Sequence, residues 1–286
     1  MRPLADEKFW NDKYRRQDAI DDSTPTSRPR KASRVKSAVK SMLGDTLVRY
    51  SRSAAARLYD QHLGGRRGQR VIEIGSAPGS HLVDVHRTYG LVPYGAEYTD
   101  SGVALNRKVF ESAGLDPSHV IHADFFDETF HDAWDGQFDV VLSRGFIEHF
   151  DVLHDVIDKH VSLLKPGGVL LVWIPNFRGR ANYIAQSLLH RELLDMHNLD
   201  IMQLAPFRGL FDRADLVERY CDYFGAFSWT LFETEYPTGL RARLHSLAVR
   251  LELPYNMLMH LLYGDGSFRH PDLSSHLCYV GEKIAL

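Results

Sequence analysis

The chain has 286 residues, of which 44% are hydrophobic and 25% are charged, a composition typical of a globular protein. Its formal net charge of −3 argues against a dedicated nucleic-acid-binding protein, which usually carries a clear basic excess. No apolar run approaches the roughly 20 residues of a transmembrane helix, and the first residues lack a signal-peptide pattern. The two cysteines, Cys221 and Cys278, resemble core residues of a reducing compartment. We therefore expect a cytoplasmic protein.

The first 65 residues predict a helical cap with a mobile basic linker. Phe9, Trp10 and Tyr14 are spaced as on one face of a short helix, and a second helix is expected over about 47–62. Residues 21–34 lack periodicity, which predicts a loop, and basic residues continue to about position 40. The basic stretch is best interpreted as a solvated face, with binding to a membrane surface or a phosphate-bearing substrate as the alternative.

Residues 70–79 predict a strand, a glycine-rich turn and the start of a helix. Gly75 allows a sharp turn after the strand, and Gly79 allows the backbone to approach a ligand. Such a turn is where open α/β sheets bind nucleotide-like cofactors. The dinucleotide fingerprint would need glycines where Ala77 and Ser80 stand, which argues against a nicotinamide cofactor.

Strands and helices then alternate regularly, which predicts a doubly wound, mostly parallel sheet. The expected strands are 70–75, 92–98, 119–123, 138–143 and 168–174, and the expected helices are about 80–89, 101–113 and 151–164. Residues 212–220 are typical of a capped helix, and the last strands are expected at 228–235 and 276–284. Two long segments, 177–211 and 237–275, are insertions in an α/β domain that spans residues 66–286.

Acidic residues stand at the ends of the second and third strands. Glu97 can accept both hydroxyls of a ribose, and Tyr98 beside it can pack on an adenine. Asp124 can accept the exocyclic amine of adenine while Phe125 lies against the ring. The alternative interpretation is a surface acid for Glu97 and a turn cap for Asp124.

These residues together resemble the class I S-adenosylmethionine (SAM)-dependent methyltransferases over about residues 70–175. The motif Glu73-x-Gly75-x-x-x-Gly79 is followed at successive strand ends by Glu97 and Asp124, then by Glu148-His149 and by the run 163–168 (LLKPGG). The resemblance implies a seven-stranded sheet with the last strand antiparallel, and SAM as the cofactor. The cofactor-binding positions that it implies are Tyr14, Glu73, Gly75, Ser76, Ala77, Gly79, Glu97, Tyr98, Asp124, Phe125 and Ser143.

Methyl transfer is an in-line displacement that depends mainly on positioning, and a base is needed only when the acceptor must lose a proton. His149 is the candidate base, although a structural role is the slightly favoured interpretation. Some relatives with Glu-x-x-Glu-His bind a divalent metal, but Gly145 stands at the first Glu position here. No metal site is therefore expected, and Glu148 with His149 and His154 is an incomplete set.

The two long segments are predicted to lie over the cofactor and to form the acceptor pocket. Arg178, Tyr183, His197 and Asn198 are its candidate substrate residues, although the apolar second segment could instead form a homodimer interface. The motif Asn/Asp-Pro-Pro-Tyr is absent, which disfavours nucleic-acid base methylation. The predicted function is methyl transfer to oxygen or nitrogen of a small molecule. The alternatives are an RNA or protein acceptor, an NAD(P)-dependent oxidoreductase, and a non-catalytic SAM-binding protein.

Overall fold

The computed structural model describes residues 3–23, 49–228, 239–264 and 266–285. The basic stretch 28–40 and nearly all of the expected strand 228–235 lie outside these residues. Among the described residues, seven strands form one sheet with the order β3-β2-β1-β4-β5-β7-β6. The strands are β1 (Arg70–Ile74), β2 (Val92–Glu97), β3 (Val120–His122), β4 (Phe138–Arg144), β5 (Leu164–Pro175), β6 (Leu216–Phe224) and β7 (His276–Lys283).

Helices precede the sheet and connect its strands. They are α1 (Glu7–Ser23), α2 (Tyr50–Leu63), α3 (Ser80–Tyr89), α4 (Asp100–Ser112), α5 (Glu128–Trp134), α6 (Leu153–Ser162), α7 (Arg180–Leu189), α8 (Arg191–Asp195), α9 (Leu204–Gly209) and α10 (Gly239–Tyr263). Strands β1 to β5 are mutually parallel, and β7 is antiparallel to both β5 and β6. The predicted fold, a mostly parallel doubly wound sheet with an antiparallel last strand, is confirmed.

The sheet is buried on both faces because its central strands are apolar at successive positions. Val71 and Ile72 are both fully buried but belong to different hydrophobic clusters, one on each side of the sheet. Val140 and Val141 in β4 divide in the same way. Since successive side chains of a strand point to opposite faces, a continuous apolar run is what a sheet covered by helices on both sides requires.

The carboxyl ends of the parallel strands meet at one edge. Ile74 pairs with Ala96 on one side and with Ser143 on the other, and Glu97 pairs with His122. The loops that follow β1, β2, β3 and β4 therefore emerge side by side. This edge is where ligands bind in open α/β sheets.

The prediction of a helix over residues 212–220 is wrong, because residues 216–224 form strand β6. The register of β6 against β7 shifts between Glu218 and Tyr220. This irregularity places an extra residue in the strand and interrupts the alternation of buried and exposed positions that identifies strands in a sequence. The side chain of Asp215, which looked like part of a helix start, instead forms an ion pair with Arg213.

The second long segment packs against the start of α2. In α10, Asn256 accepts the Tyr50 backbone N–H at 2.7 Å, and the Tyr50 hydroxyl accepts the Phe268 N–H at 2.8 Å. Several apolar side chains of α10 remain exposed, among them Leu251 and Leu261. The described residues of this helix do not line the cavity described below, so the predicted place of this segment in the acceptor pocket is not found there. The alternative, a dimer interface, stays a prediction.

Cys221 and Cys278 are buried and unpaired with each other. No helix among the described residues combines the length and the apolar character that are needed to cross a bilayer.

Candidate functional site

A cavity of about 720 Å³ opens at the carboxyl edge of the sheet. Its walls come from the loops after β1, β2, β3 and β4, from the end of β5, from α1, and from residues 193–197. Its aromatic lining residues are Phe9, Trp10, Tyr14, Tyr98, Phe125, Phe126, Phe146, Phe150 and Trp173. A mostly apolar cavity with a few convergent polar groups is the usual form of a small-molecule site.

The glycine-rich turn after β1 contributes Gly75 and Ala77 to this cavity. Gly75 has φ 68°, and a Cβ atom there would lie 3.0 Å from the Phe146 ring, so the position needs glycine on both counts. Gly79 also has a positive φ, but a Cβ atom there would lie 2.0 Å from Asn106 Oδ1. Glycine at position 79 thus allows close packing of the turn on α4; the residue does not line the cavity, and its cofactor contact stays a prediction.

Ser76 was also predicted to contact the cofactor, but its side chain forms hydrogen bonds within the protein. Its hydroxyl accepts a hydrogen bond from Asn106 Nδ2 at 2.6 Å and lies 3.4 Å from the Ala96 carbonyl oxygen. The residue is buried and does not line the cavity. Ser76 thus holds the turn against β2 and α4.

Glu73, the acid of the glycine motif, is buried and does not line the cavity. Its Oε1 accepts from Arg144 Nε at 2.7 Å, and its Oε2 lies 3.0 Å from His81 Nδ1. Burial alone would raise the pKa of Glu73, but the Arg144 and His81 partners lower it to about 2. The predicted direct role of Glu73 in holding the methionine part is therefore not supported, and Arg144 lines the cavity in its place.

Glu97 lies at the end of β2 with its carboxylate fixed by the following turn. Its Oε1 accepts hydrogen bonds from Tyr98 N, Thr99 N and Thr99 Oγ1 at 2.8–3.1 Å. Burial raises the pKa of Glu97, while the Thr99 hydrogen bonds act against this increase. Both Glu97 and Tyr98 line the cavity. Their contacts with ribose and adenine stay predictions.

The turn after β3 provides the third acidic position. Asp124 is exposed to the cavity, and its Oδ1 accepts the Phe126 backbone N–H at 2.9 Å. Phe125 is buried beneath it, with its ring edge against Phe146 at a centroid distance of 5.5 Å. The carboxylate is thus both the turn cap and a polar group of the cavity wall, which unites the two interpretations of Asp124.

Helix α1 covers the cavity. The Asn11 side chain accepts from the backbone N–H and hydroxyl of Ser101 on α4, the latter at 2.6 Å. At the start of the chain, Leu4 N–H donates to the His149 carbonyl at 2.8 Å. Tyr14 is buried in the cavity wall, as predicted for a cofactor-covering segment.

His149 and His197 form the end of the cavity beneath α1, with ring centroids 4.4 Å apart. Trp10 meets the His149 ring edge-on at 5.2 Å. Burial lowers the pKa of His149 to about 4 and that of His197 to about 3, so both rings are neutral at physiological pH. A base with so low a pKa has little driving force for proton removal, which weakens the prediction that His149 is a general base.

The remaining predicted substrate residues lie away from the cavity. Arg178 pairs with Asp200 at 3.1 Å on the surface, and the Tyr183 side chain on α7 is exposed. Asn198 accepts the Asp200 N–H and donates to the Phe150 carbonyl, which is a turn-stabilising role. The sequence does not show which polar residues of this segment cap turns and which line the pocket.

Ser143 is likewise buried inside β4 and does not line the cavity. The next residue, Arg144, lines the cavity, and its guanidinium lies over the Trp173 ring, 5.4 Å from the ring centroid. Lys13 and His276 are further lining residues that sequence reasoning missed. Of these three, only Arg144 had a usable signal in the sequence, because it stands at the end of the fourth strand, at the site edge of the sheet.

Lys13 is a cation within an aromatic wall. Its Nζ lies 4.5 Å from the Trp10 ring centre, and burial lowers the pKa of the amine to about 8. This lowered pKa makes the amine easier to deprotonate than an exposed lysine. The residue can therefore serve the cavity as a positive charge or as a proton acceptor.

The family model described as a methyltransferase domain matches residues 47–220, which is more than half of the chain. A search of curated proteins gives no significant match. The structure is similar to a protein described as a sarcosine dimethylglycine methyltransferase from Galdieria sulphuraria, with a TM-score of 0.52 and 15% identity over 82% of this chain and 85% of that one.

The fold is also similar to geranyl diphosphate C-methyltransferase from Streptomyces coelicolor A3(2), with a TM-score of 0.51 and 15% identity over 82% of this chain and 79% of that one. At these identities the likeness concerns the fold, and the assignment rests on the family match. The chain therefore belongs to the methyltransferase domain family and is a SAM-dependent methyltransferase with the class I fold.

Proposed function

We propose that this methyltransferase transfers a methyl group from SAM to an oxygen or nitrogen atom of a small molecule held beneath α1. When bound, SAM supplies an electrophilic methyl group on a sulfonium. The observation that carries the proposal is the continuity of the cavity. It runs from the acidic strand ends at Glu97 and Asp124 to the enclosed end at His149 and His197.

The adenosine part of SAM fits the strand-end half of the cavity. Glu97 offers a carboxylate whose orientation is fixed before binding, so little ordering is required when it accepts ribose hydroxyls. Asp124 offers an acceptor for the adenine amine, with Phe125 and Tyr98 as apolar contacts. Gly75 brings the backbone close to the ligand at the centre of the sheet edge.

The methionine part fits the region between Arg144 and the turn after β1. The Arg144 guanidinium keeps donors beyond the Nε–H that it gives to Glu73, and a ligand carboxylate is a suitable acceptor for them. Trp173 fixes the plane of the guanidinium by stacking. Glu73 and His81 thus act indirectly, by holding Arg144 in place.

The acceptor end favours a small molecule because it is covered by α1 and closed by the buried imidazoles. Trp10 and Phe150 give this end an apolar wall, and Lys13 gives it one positive charge. Enclosure excludes water and aligns the acceptor with the methyl group, which is the main contribution of a protein to this reaction. An acceptor that must lose a proton has Lys13 as the base of suitable pKa, in preference to His149.

An RNA or protein acceptor is the alternative within the same chemistry. The net charge of −3 gives no general attraction for RNA, and the cover of α1 leaves less room for a macromolecule. The enclosed acceptor end therefore favours a small molecule over either polymer.

The test is a methyl-transfer assay with labelled SAM and three acceptor classes: a metabolite panel, total RNA and denatured protein extract. The proposal expects label in small molecules, and the Asp124→Ala variant should reduce that signal. Labelling of RNA or protein alone would overturn the assignment of the acceptor. SAM binding without turnover on any class would indicate a non-catalytic binding protein.

A further inference from the structure

Three buried side chains of metal-ligating type meet at the acceptor end of the cavity, although they come from two separate stretches of the chain. Glu148 and His149 end the short helix after β4, and His197 follows α8. One ligand atom of each side chain lies within 4.8 Å of those of the other two. Asn198 N–H donates to the Glu148 carbonyl at 2.7 Å, so the backbone itself holds the two stretches together.

Both imidazoles are held in the tautomer that metal-ligating histidines adopt. His149 Nδ1 lies 2.9 Å from the Met196 carbonyl oxygen, and His197 Nδ1 lies 2.5 Å from that of Leu193. A carbonyl oxygen only accepts, so Nδ1 carries the proton in each ring and Nε2 carries the lone pair. A hydrogen bond from the other ring nitrogen to a carbonyl is the usual support of a histidine that ligates a metal.

Glu148 is fully buried, and neither of its carboxylate oxygens has a hydrogen-bond partner among the described residues. A buried acid without a partner is rare because its desolvation is uncompensated. A bound cation would compensate it. The space over Gly145, which lines the cavity, lies beside Glu148 Oε1.

We propose that Glu148, His149 and His197 form a site for one divalent transition-metal ion such as Zn²⁺, Fe²⁺ or Mn²⁺. Two imidazole nitrogens and one carboxylate suit these ions, whereas Mg²⁺ and Ca²⁺ prefer oxygen ligands. Metal–ligand bonds of about 2.1 Å place tetrahedral ligand atoms about 3.4 Å apart, so ligand atoms that lie within 4.8 Å of one another would move closer together when an ion binds. No metal site was expected from the sequence, because Gly145 stands at the first Glu position of the related motif and His154 did not complete a ligand set; the third ligand proposed here is His197.

The location of the site defines the class of acceptor, and this step rests on the proposed methyltransferase function. His149 and His197 line the cavity, so the open coordination positions of the ion face the acceptor. Three protein ligands with open positions are the pattern of catalytic rather than structural metal sites. The acceptor would therefore be a small molecule that binds the ion through an oxygen atom, such as a hydroxyl, carboxylate or phosphoryl oxygen.

The test uses the untagged full-length chain, stripped with a chelator and then dialysed free of it. Co²⁺ absorption and competition with a chromophoric Zn²⁺ chelator report metal binding without any acceptor. We expect one equivalent of metal per chain and much weaker binding of Mg²⁺. Glu148→Gln and His197→Asn should each weaken Zn²⁺ binding by about a hundredfold or more.

His160→Gln is the matched control, since His160 is another buried histidine whose Nδ1 lies close to a backbone carbonyl, here that of Val156. It should bind Zn²⁺ as the unmodified chain does. Circular dichroism of each variant distinguishes loss of a metal ligand from loss of the fold. One folded ligand variant is sufficient for the test if the other does not fold. No stoichiometric metal, or equal affinity in both ligand variants and the control, overturns the site. Binding of S-adenosylhomocysteine (SAH) by the metal-free chain tests the proposed function separately.

Discussion

The Arg144 guanidinium donates to the Glu73 carboxylate at 2.7 Å, where β1 and β4 end side by side. The carboxylate of the glycine motif is therefore bound by Arg144, and Arg144 itself lines the cavity. We therefore propose that the motif acts on the cofactor through Arg144. The same pair stabilises the sheet edge, because Glu73 is buried and its negative charge needs a partner.

Arg144→Met should lower the free energy of unfolding by about 3 kcal/mol, since it leaves a buried carboxylate with only His81 beside it. Urea denaturation followed by circular dichroism measures the change. The double variant Arg144→Met/Glu73→Gln removes the uncompensated charge and should regain most of the loss. Equal stability of the single variant and the unmodified chain would show that the pair has no structural role.

Asp124→Ala should weaken SAH binding by about 1–3 kcal/mol, because the adenine amine loses its acceptor. Asp127→Ala is a close control: both carboxylates are exposed and each accepts the backbone N–H two residues later, but only Asp124 lines the cavity. Calorimetric titration with SAH compares the two variants. Equal losses in both would reduce the role of Asp124 to that of a turn cap.

Asn11→Ala should weaken SAH binding by about 1–2 kcal/mol, since Asn11 provides the side-chain hydrogen bonds that hold α1 against Ser101. Lys108→Met is the comparison, because it breaks the ion pair between α4 and Asp18 of α1 on the surface. Exposed ion pairs contribute at most about 1 kcal/mol. If the two substitutions had the same effect on SAH affinity, closure of α1 would not depend on the Asn11 contacts.

Stability should fall as the pH decreases from about 6.5 to 4, because buried histidines stay neutral in the folded chain. Burial lowers the pKa of His160 to about 4, so protons bind the unfolded chain first and favour it. His160→Gln should reduce this pH-dependent loss by about 3 kcal/mol at pH 4. Urea titrations at pH 7.5 and pH 4 measure it, and His154→Gln on the surface of the same helix controls for the substitution. An unchanged pH dependence in His160→Gln would contradict the assignment.

The central part of the fold could be predicted from the sequence because its signals are local. Continuous apolar runs identified the buried strands, and glycines marked the turns at the site edge. Glu97, Asp124 and Phe125 reached the cavity as expected, since the carboxyl ends of parallel strands must meet. Their positions follow from topology alone.

What could not be predicted depends on contacts between distant parts of the chain. The register shift near Glu218 hides the alternation of β6, so a helix was expected there. His197 meets His149 only because the segment after β5 folds back over the cavity. Glu73 has the position expected of a ligand-binding acid, and only the structure reveals that its carboxylate accepts a hydrogen bond from Arg144. None of these relations leaves a pattern in neighbouring residues.

The most direct test of the account is calorimetric titration of the purified chain with SAH, with NAD and NADP titrated in parallel. We predict one SAH site per chain and no binding of either nicotinamide cofactor. The affinity for SAH should be at least about tenfold weaker in Glu97→Gln, because a charge-assisted hydrogen bond to the ribose is lost. Binding of NAD or NADP without SAH, or full SAH affinity in Glu97→Gln, would contradict it.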